Sequence, residues 1–136
     1  MYPEELVKPM REDLVSAGFE ELHTSDAVED ALKKGGTTLV VVNSVCGCAA
    51  ANARPAAKIS LQNPKKPDHL VTVFAGMETE AVDRARAHMV PFPPSSPSMG
   101  LFKDGELVHM IERHHIEGRP AEMIADNLMQ AYNEFS

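Results

Sequence analysis

Two cysteines stand one residue apart, Cys46-Gly47-Cys48, and the chain has no others. A thiol attacks a disulfide or binds a metal as its thiolate, so position decides reactivity. The apolar run Thr38-Leu39-Val40-Val41-Val42 comes just before, Asn43 and Ser44 break it, and alanine-rich Ala49 to Ala57 follows. The pattern predicts strand, tight turn, two thiols, then a helix starting at or just after the cysteines. Free N–H groups and the positive end of the macrodipole lie at such a helix start. There a thiol pKa falls from about 8.5 to roughly 3.5–7.5. Cys46, nearer the strand, is expected to be the more exposed and better ionised thiol, and Cys48 to titrate higher. A disulfide between them closes a small, strained ring and is therefore oxidising. So short a loop gains little entropy on closure, which argues against a structural staple. Two other readings stay open. The thiols are inert core residues, or they hold a metal, with histidines or a second chain completing the tetrahedral shell.

The elements that must position the pair are readable from periodicity. The β-branched run fits a strand buried on both faces of a sheet. A first helix is expected over Pro3 to Ala17, with Leu6, Val7, Met10, Leu14 and Val15 as its apolar stripe. A short strand follows at Phe19 to Leu22. Ser25 is the expected cap of a helix over Asp26 to Lys34. The cysteine helix runs to about Gln62, and Pro55 inside it should bend it. Leu70 to Phe74 reads as a strand, and Thr79 as the cap of a helix to about Met89. Met99 to Phe102 and Glu106 to Ile111 form a hairpin, with Asp104-Gly105 signalling a two-residue type I′ turn. Pro120 opens a last helix to about Phe135. Val90 to Ser98 holds four of the ten prolines, which makes it a stiff connector or a shaped wall beside the thiols.

Composition narrows the function. A chain of 136 residues suffices for one hydrophobic core, and its net charge of −7 argues against a nucleic-acid partner and against an anionic membrane surface. No apolar segment approaches the ~20 residues of a membrane span, and the start, MYPEELVKPM, lacks a signal-peptide core. The expected location is cytoplasmic, where a lone thiol pair serves redox or metal chemistry.

The element order, with thiols at the strand-to-helix turn and a proline loop before the closing hairpin, resembles the thioredoxin fold. The expected fold class is α/β, a central mixed sheet with helices on both faces and an extra N-terminal helix. The stretches VNSVCGCAAANARPA, PPSSPS and LFKDGELVHMIERHHIEGR together resemble the bacilliredoxin family, thioredoxin-like proteins with a CGC motif. The resemblance covers nearly the whole chain after the first helix, and residues 1–136 are expected to form a single thioredoxin-like domain.

That resemblance implies thiol–disulfide oxidoreductase activity that removes bacillithiol from protein mixed disulfides. Cys46 matches the attacking cysteine and Cys48 the second, resolving one. Gly47, Ser96 and Pro97 match the substrate-binding surround, with Pro97 as the cis-proline facing the active-site sulfur. Pro91, Pro93 and Pro94 are its rivals. The implied partners are bacillithiolated client proteins, with bacillithiol as a low-molecular-weight thiol co-substrate and no tightly bound cofactor. CxC in place of CxxC, and no tryptophan before the first cysteine, depart from ordinary thioredoxins. Disulfide isomerase activity, or metal binding through the CxC thiols, is the alternative. Asn43, Ser44 and Ser96 are candidate hydrogen-bonding neighbours. His109, His114 and His115 read as solvated histidines before metal ligands, and Asp83, Arg84 and Arg86 as a solvated helix face.

Overall fold

The unbroken apolar run folds as a strand buried along its whole length, and the molecule is layered around it. The computed structural model describes residues 1–136. In chain order the elements are α1 (Glu4–Val15), β1 (Glu20–Glu21), α2 (Ser25–Lys33), β2 (Thr37–Asn43), a π-helical turn (Ala49–Ala53), α3 (Arg54–Ser60), β3 (His69–Phe74), α4 (Thr79–Ala87), β4 (Ser98–Lys103), β5 (Glu106–Ile111), α5 (Arg113–Ile116) and α6 (Ala121–Phe135). One sheet of order β1-β3-β2-β4-β5 holds all five strands. β3 runs parallel to both β1 and β2, while β4 is antiparallel to β2 and to β5. Asp104 and Gly105 have φ of 50° and 84°, the two positive values that a type I′ turn requires.

Successive β2 side chains point to opposite faces, so one strand feeds two cores. Leu39 and Val41 pack with Leu14 of α1, Ala56 and Ala57 of α3, and Ile124, Leu128 and Tyr132 of α6. Val40 and Val42 pack with Val28 and Leu32 of α2 and with Val82 and Ala85 of α4. Helices therefore cover both faces, as expected. Burying a large apolar side chain contributes about 1.5–3 kcal/mol. Tyr132 is fully buried; burial pushes its phenol up to about 12, against a 2.9 Å hydrogen bond with Ser60 that pulls the other way.

Several local expectations are corrected. Thr24, not Ser25, caps α2: its hydroxyl accepts the Ala27 N–H at 3.1 Å, while the Ser25 N–H donates to the Glu80 carboxylate at 2.7 Å. Thr79 is the first residue of α4 rather than its cap. β1 is only Glu20–Glu21, with Phe19 and Leu22 buried on either side. Pro55 does not bend a continuous α-helix: the wider π-helical turn precedes it, and Pro55 takes a place in the first turn of α3, where a missing N–H costs little. The short α5 had no counterpart among the expected elements.

Candidate functional site

Cys46 occupies the cap position of the helical segment that leaves β2. Its carbonyl accepts the Ala49 and Ala50 N–H groups at 3.0 and 3.3 Å, and its Sγ accepts the Cys48 N–H at 3.3 Å. A thiolate there meets backbone donors, as a capping oxygen does. Partial burial works against its ionisation. Hydrogen bonds from the Cys48 thiol and N–H, the charge of Arg113 and the Ala49 N–H outweigh it, so Cys46 lies below the ordinary thiol range. Cys48 shifts the opposite way: its hydrogen bond to Cys46 favours the protonated form, and burial and the Cys46 charge add to that. The two thiols thus differ in the expected sense. Both are partly exposed in the free form. Gly47 is exposed between them, and nothing lies within 4 Å of where a Cβ would stand. It is not part of the cleft wall described below.

The turn that carries Cys46 is tied into the protein by polar groups. The Cys46 N–H donates to Ser44 Oγ at 3.2 Å, and the Ser44 N–H donates to Asn43 Oδ1 at 2.9 Å. Arg54, only 5% exposed, donates from Nη1 to Asn43 Oδ1 at 2.9 Å and to the Ser44 carbonyl at 3.1 Å. Its Nε reaches Asp13 of α1 at 3.2 Å, and Asn43 Nδ2 donates to the Met10 carbonyl at 3.1 Å. Arg54 was given no role by the sequence reading. One signal was present: an arginine in an alanine-rich helix otherwise suited to burial.

The proline loop supplies the facing wall. Ser96–Pro97 and Val90–Pro91 are both cis. Pro97 is buried at the edge of β4, and Ser96 lines the same open cleft as Cys46, with Ser44, Tyr2, Arg86 and Arg113. The cleft measures about 380 Å³. A second cavity, about 200 Å³ between β5 and α6, is lined by His109, His115, Met123 and Asn127 and touches neither thiol.

Arg113 is the other residue that sequence reasoning missed. It opens α5 and donates from Nη1 to the Ser96 carbonyl at 3.2 Å, and its Nη2 lies 3.9 Å from Cys48 Sγ. Its Nε sits 3.4 Å from Glu117, whose carboxylate is 4.0 Å from Cys48 Sγ. The negative charges of Cys46 and Glu117 raise the Arg113 pKa, so it stays cationic. Arg86, read from sequence as part of a solvated face, donates to the Ser95 carbonyl at 3.3 Å.

The histidines serve elsewhere. His109 pairs with Asn127 at 2.6 Å. His115 Nδ1 accepts the Glu112 N–H at 3.1 Å while the Glu112 side chain accepts the His115 N–H, a reciprocal cap on α5. Burial first, and then His114, hold His115 below the usual histidine range. Glu112, His114 and His115 present ligand atoms within 4.8 Å of one another, and neither cysteine joins that group.

The family model described as disulphide isomerase matches residues 2–136. A bacilliredoxin of Cytophaga hutchinsonii is 58% identical over 134 residues, covering 98% of this chain and 99% of that one. A bacilliredoxin of Halalkalibacterium halodurans is 56% identical, covering 98% and 93%. A thioredoxin variant from Halobacterium salinarum superposes with a TM-score of 0.61 at 17% identity, over 88% of this chain and 91% of that one, which shows the thioredoxin fold. No helix is long and apolar enough to cross a membrane. A thioredoxin fold with paired thiols at the strand-to-helix turn, in a sequence so close to these relatives, is that of a thiol–disulfide oxidoreductase. The chain belongs to the bacilliredoxin family.

Proposed function

We propose that this protein removes bacillithiol from mixed disulfides on client proteins, with Cys46 attacking and Cys48 as the second thiol. The observation that carries the reading is the asymmetry of the pair. Cys46 Sγ accepts a backbone N–H at the helix start and opens on the cleft, while Cys48 is pushed toward its protonated form. The Cys46 thiolate attacks the bacillithiol sulfur, a Cys46–bacillithiol disulfide forms, and the client leaves as thiolate. Free bacillithiol then attacks the bacillithiol sulfur of the adduct, forming bacillithiol disulfide and freeing the Cys46 thiolate, or Cys48 after losing its proton attacks Cys46 Sγ, expelling bacillithiol thiolate and leaving a Cys46–Cys48 disulfide to be reduced. Ser96, from the proline loop, lines the same cleft as the Cys46 thiol, which supports a substrate sulfur reaching it there. The reading suits a reducing, cytoplasmic compartment.

Intact-mass measurement after mixing with a bacillithiolated client tests the scheme. Wild type gains the thiol as the client loses it. Cys46→Ala removes none. Cys48→Ala completes one turnover and accumulates the adduct on Cys46 unless free bacillithiol is added. Activity in folded Cys46→Ala, or no single turnover in folded Cys48→Ala, refutes it. Disulfide isomerisation is the second reading, favoured by the description of the matching family model. Recovery of activity by a scrambled disulfide protein, with Cys46 essential, would support it.

A further inference from the structure

Three pieces of chain meet at one edge of the sheet. β2 and β3 run parallel and finish level, Asn43 beside Phe74, while antiparallel β4 begins there, Ser98 beside Val42. Cys46 follows β2, with Ala75 and Gly76 following β3 on one side and the loop through Ser96 entering β4 on the other. The β4 side is polar and is held by arginines. The β3 side offers Ala75 and Gly76, and Tyr2 is laid on the glycine. Gly76 has a φ of 88°, and a Cβ there would stand 2.7 Å from Tyr2 Cε2, so the ring lies this close only because the residue is glycine. The Tyr2 N–H donates to Met77 Sδ at 3.3 Å. α1, which starts two residues later, is fastened to the same segment: Arg11 donates to both carboxylate oxygens of Glu78, at 2.6 and 2.7 Å. Despite these ties the ring stays 40% exposed, and it is the one aromatic group lining the Cys46 cleft. The other tyrosine is buried in the core, and the chain has no tryptophan. An aromatic ring held in place at low entropic cost and left open beside a reactive thiol is suited to packing on a substrate.

We propose that Tyr2 is a specificity-determining residue, whose ring packs against an apolar side chain of the client next to the cysteine that carries the mixed disulfide. The inference rests on the proposed attack by Cys46 on a client's mixed disulfide, and adds which clients are preferred. Neighbouring strands lie about 4.8 Å apart and an extended chain rises about 3.3 Å per residue, so a side chain one or two positions from the client cysteine is within reach of the ring. The exchange itself is unaltered. The Cys46 thiolate forms a new disulfide, the old one breaks, and the departing sulfur takes the electron pair. No further oxidant or reductant enters.

The test uses three uncharged single-cysteine peptides, each in mixed disulfide with 2-mercaptoethanol. They differ only in the residues on either side of the cysteine: phenylalanine, leucine or serine. Single-turnover rates are followed by mass, each divided by the rate with a small thiolate lacking a protein site. Wild type should react about five-fold faster with the phenylalanine peptide than with the serine one, the leucine peptide lying between. Tyr2→Phe should keep that ratio, because the ring and not the hydroxyl does the packing. Tyr2→Ala and Tyr2→Gln should each bring it close to one. A role confined to ordering the start of the chain would slow all three peptides together and leave the ratio as it is, so the ratio is the readout. Circular dichroism establishes that each variant is folded. Equal normalised rates for the three peptides in wild type overturn the role of Tyr2, as does a preference that survives in folded Tyr2→Ala or Tyr2→Gln. Reaction with none of the three would instead overturn the proposed attack by Cys46, and the role of Tyr2 with it.

Discussion

The two walls of the thiol cleft are built differently. On the Cys46 side, Asn43, Ser44 and Arg54 are all at least nine-tenths buried, and hydrogen bonds tie the turn to α1, through Arg54 to Asp13 and from Asn43 to the Met10 carbonyl. On the facing side, Val90 to Pro94 are exposed, and Ser95 and Ser96 are held by arginine side chains from α4 and α5. The first wall is part of what folding buries. The second is positioned by a few charged contacts at the edge of the sheet. Damage to the first should therefore register as lost stability, and damage to the second as altered reactivity in a protein that stays folded.

Arg54→Leu should have the largest effect. It removes a buried cation and takes one donor each from Asn43 Oδ1, the Ser44 carbonyl and Asp13. A loss of about 2–4 kcal/mol in urea unfolding is expected, together with slower alkylation of Cys46. Unchanged stability would show that the buried wall is no more structural than the exposed one.

Arg113→Gln should instead leave the unfolding midpoint near wild type and change the thiol. Arg113 is among the causes that hold Cys46 below the ordinary thiol range. Cys46 stays reactive above its own pKa and loses reactivity as pH falls through it, so removing the cation moves that loss to higher pH. Iodoacetamide rates against pH, measured in the Cys48→Ala background, read the midpoint. An unmoved midpoint breaks the electrostatic half of the comparison.

Asp13 sharpens the structural half. Burial disfavours its charge, but hydrogen bonds and charges from Lys58 and Arg54 win and hold its carboxyl below the usual value. A depressed folded pKa gives stability that is complete above the unfolded value, about 3.9, and lost as pH falls through the lower folded one. Wild type should therefore lose stability more steeply below pH 4 than Asp13→Asn, which starts lower. Parallel acid curves would remove Asp13 from the anchor.

The smallest effect is expected in the proline loop. Phe92 is 38% exposed, and Phe92→Ser should change stability by no more than about 0.5 kcal/mol. A larger loss would mean that the exposed wall contributes to the core after all.

Local chemistry alone determined the order of elements, the buried strand before the thiols, the type I′ turn at Asp104-Gly105 and the placement of Cys46 at a helix start. Each depends on neighbours within a few residues: β-branched runs, alanine, an Asp-Gly pair. The difference between the two thiols was legible for the same reason, since a helix start acts on the residue at its mouth. Tertiary structure decided the rest. Whether Thr24 or Ser25 caps α2 turned on Glu80, far along the chain. Arg54 finds Asp13 across 41 residues, and Arg113 comes near Cys48 across 65. Arg86 reads as solvated on its own helix and becomes a cleft wall only because the proline loop packs beside it. An arginine in a sequence shows its charge but not its partner. Coulombic and hydrogen-bond energies depend on distance in space, and only the folded sheet, by stacking α1, α4 and α5 around the end of β2, sets those distances.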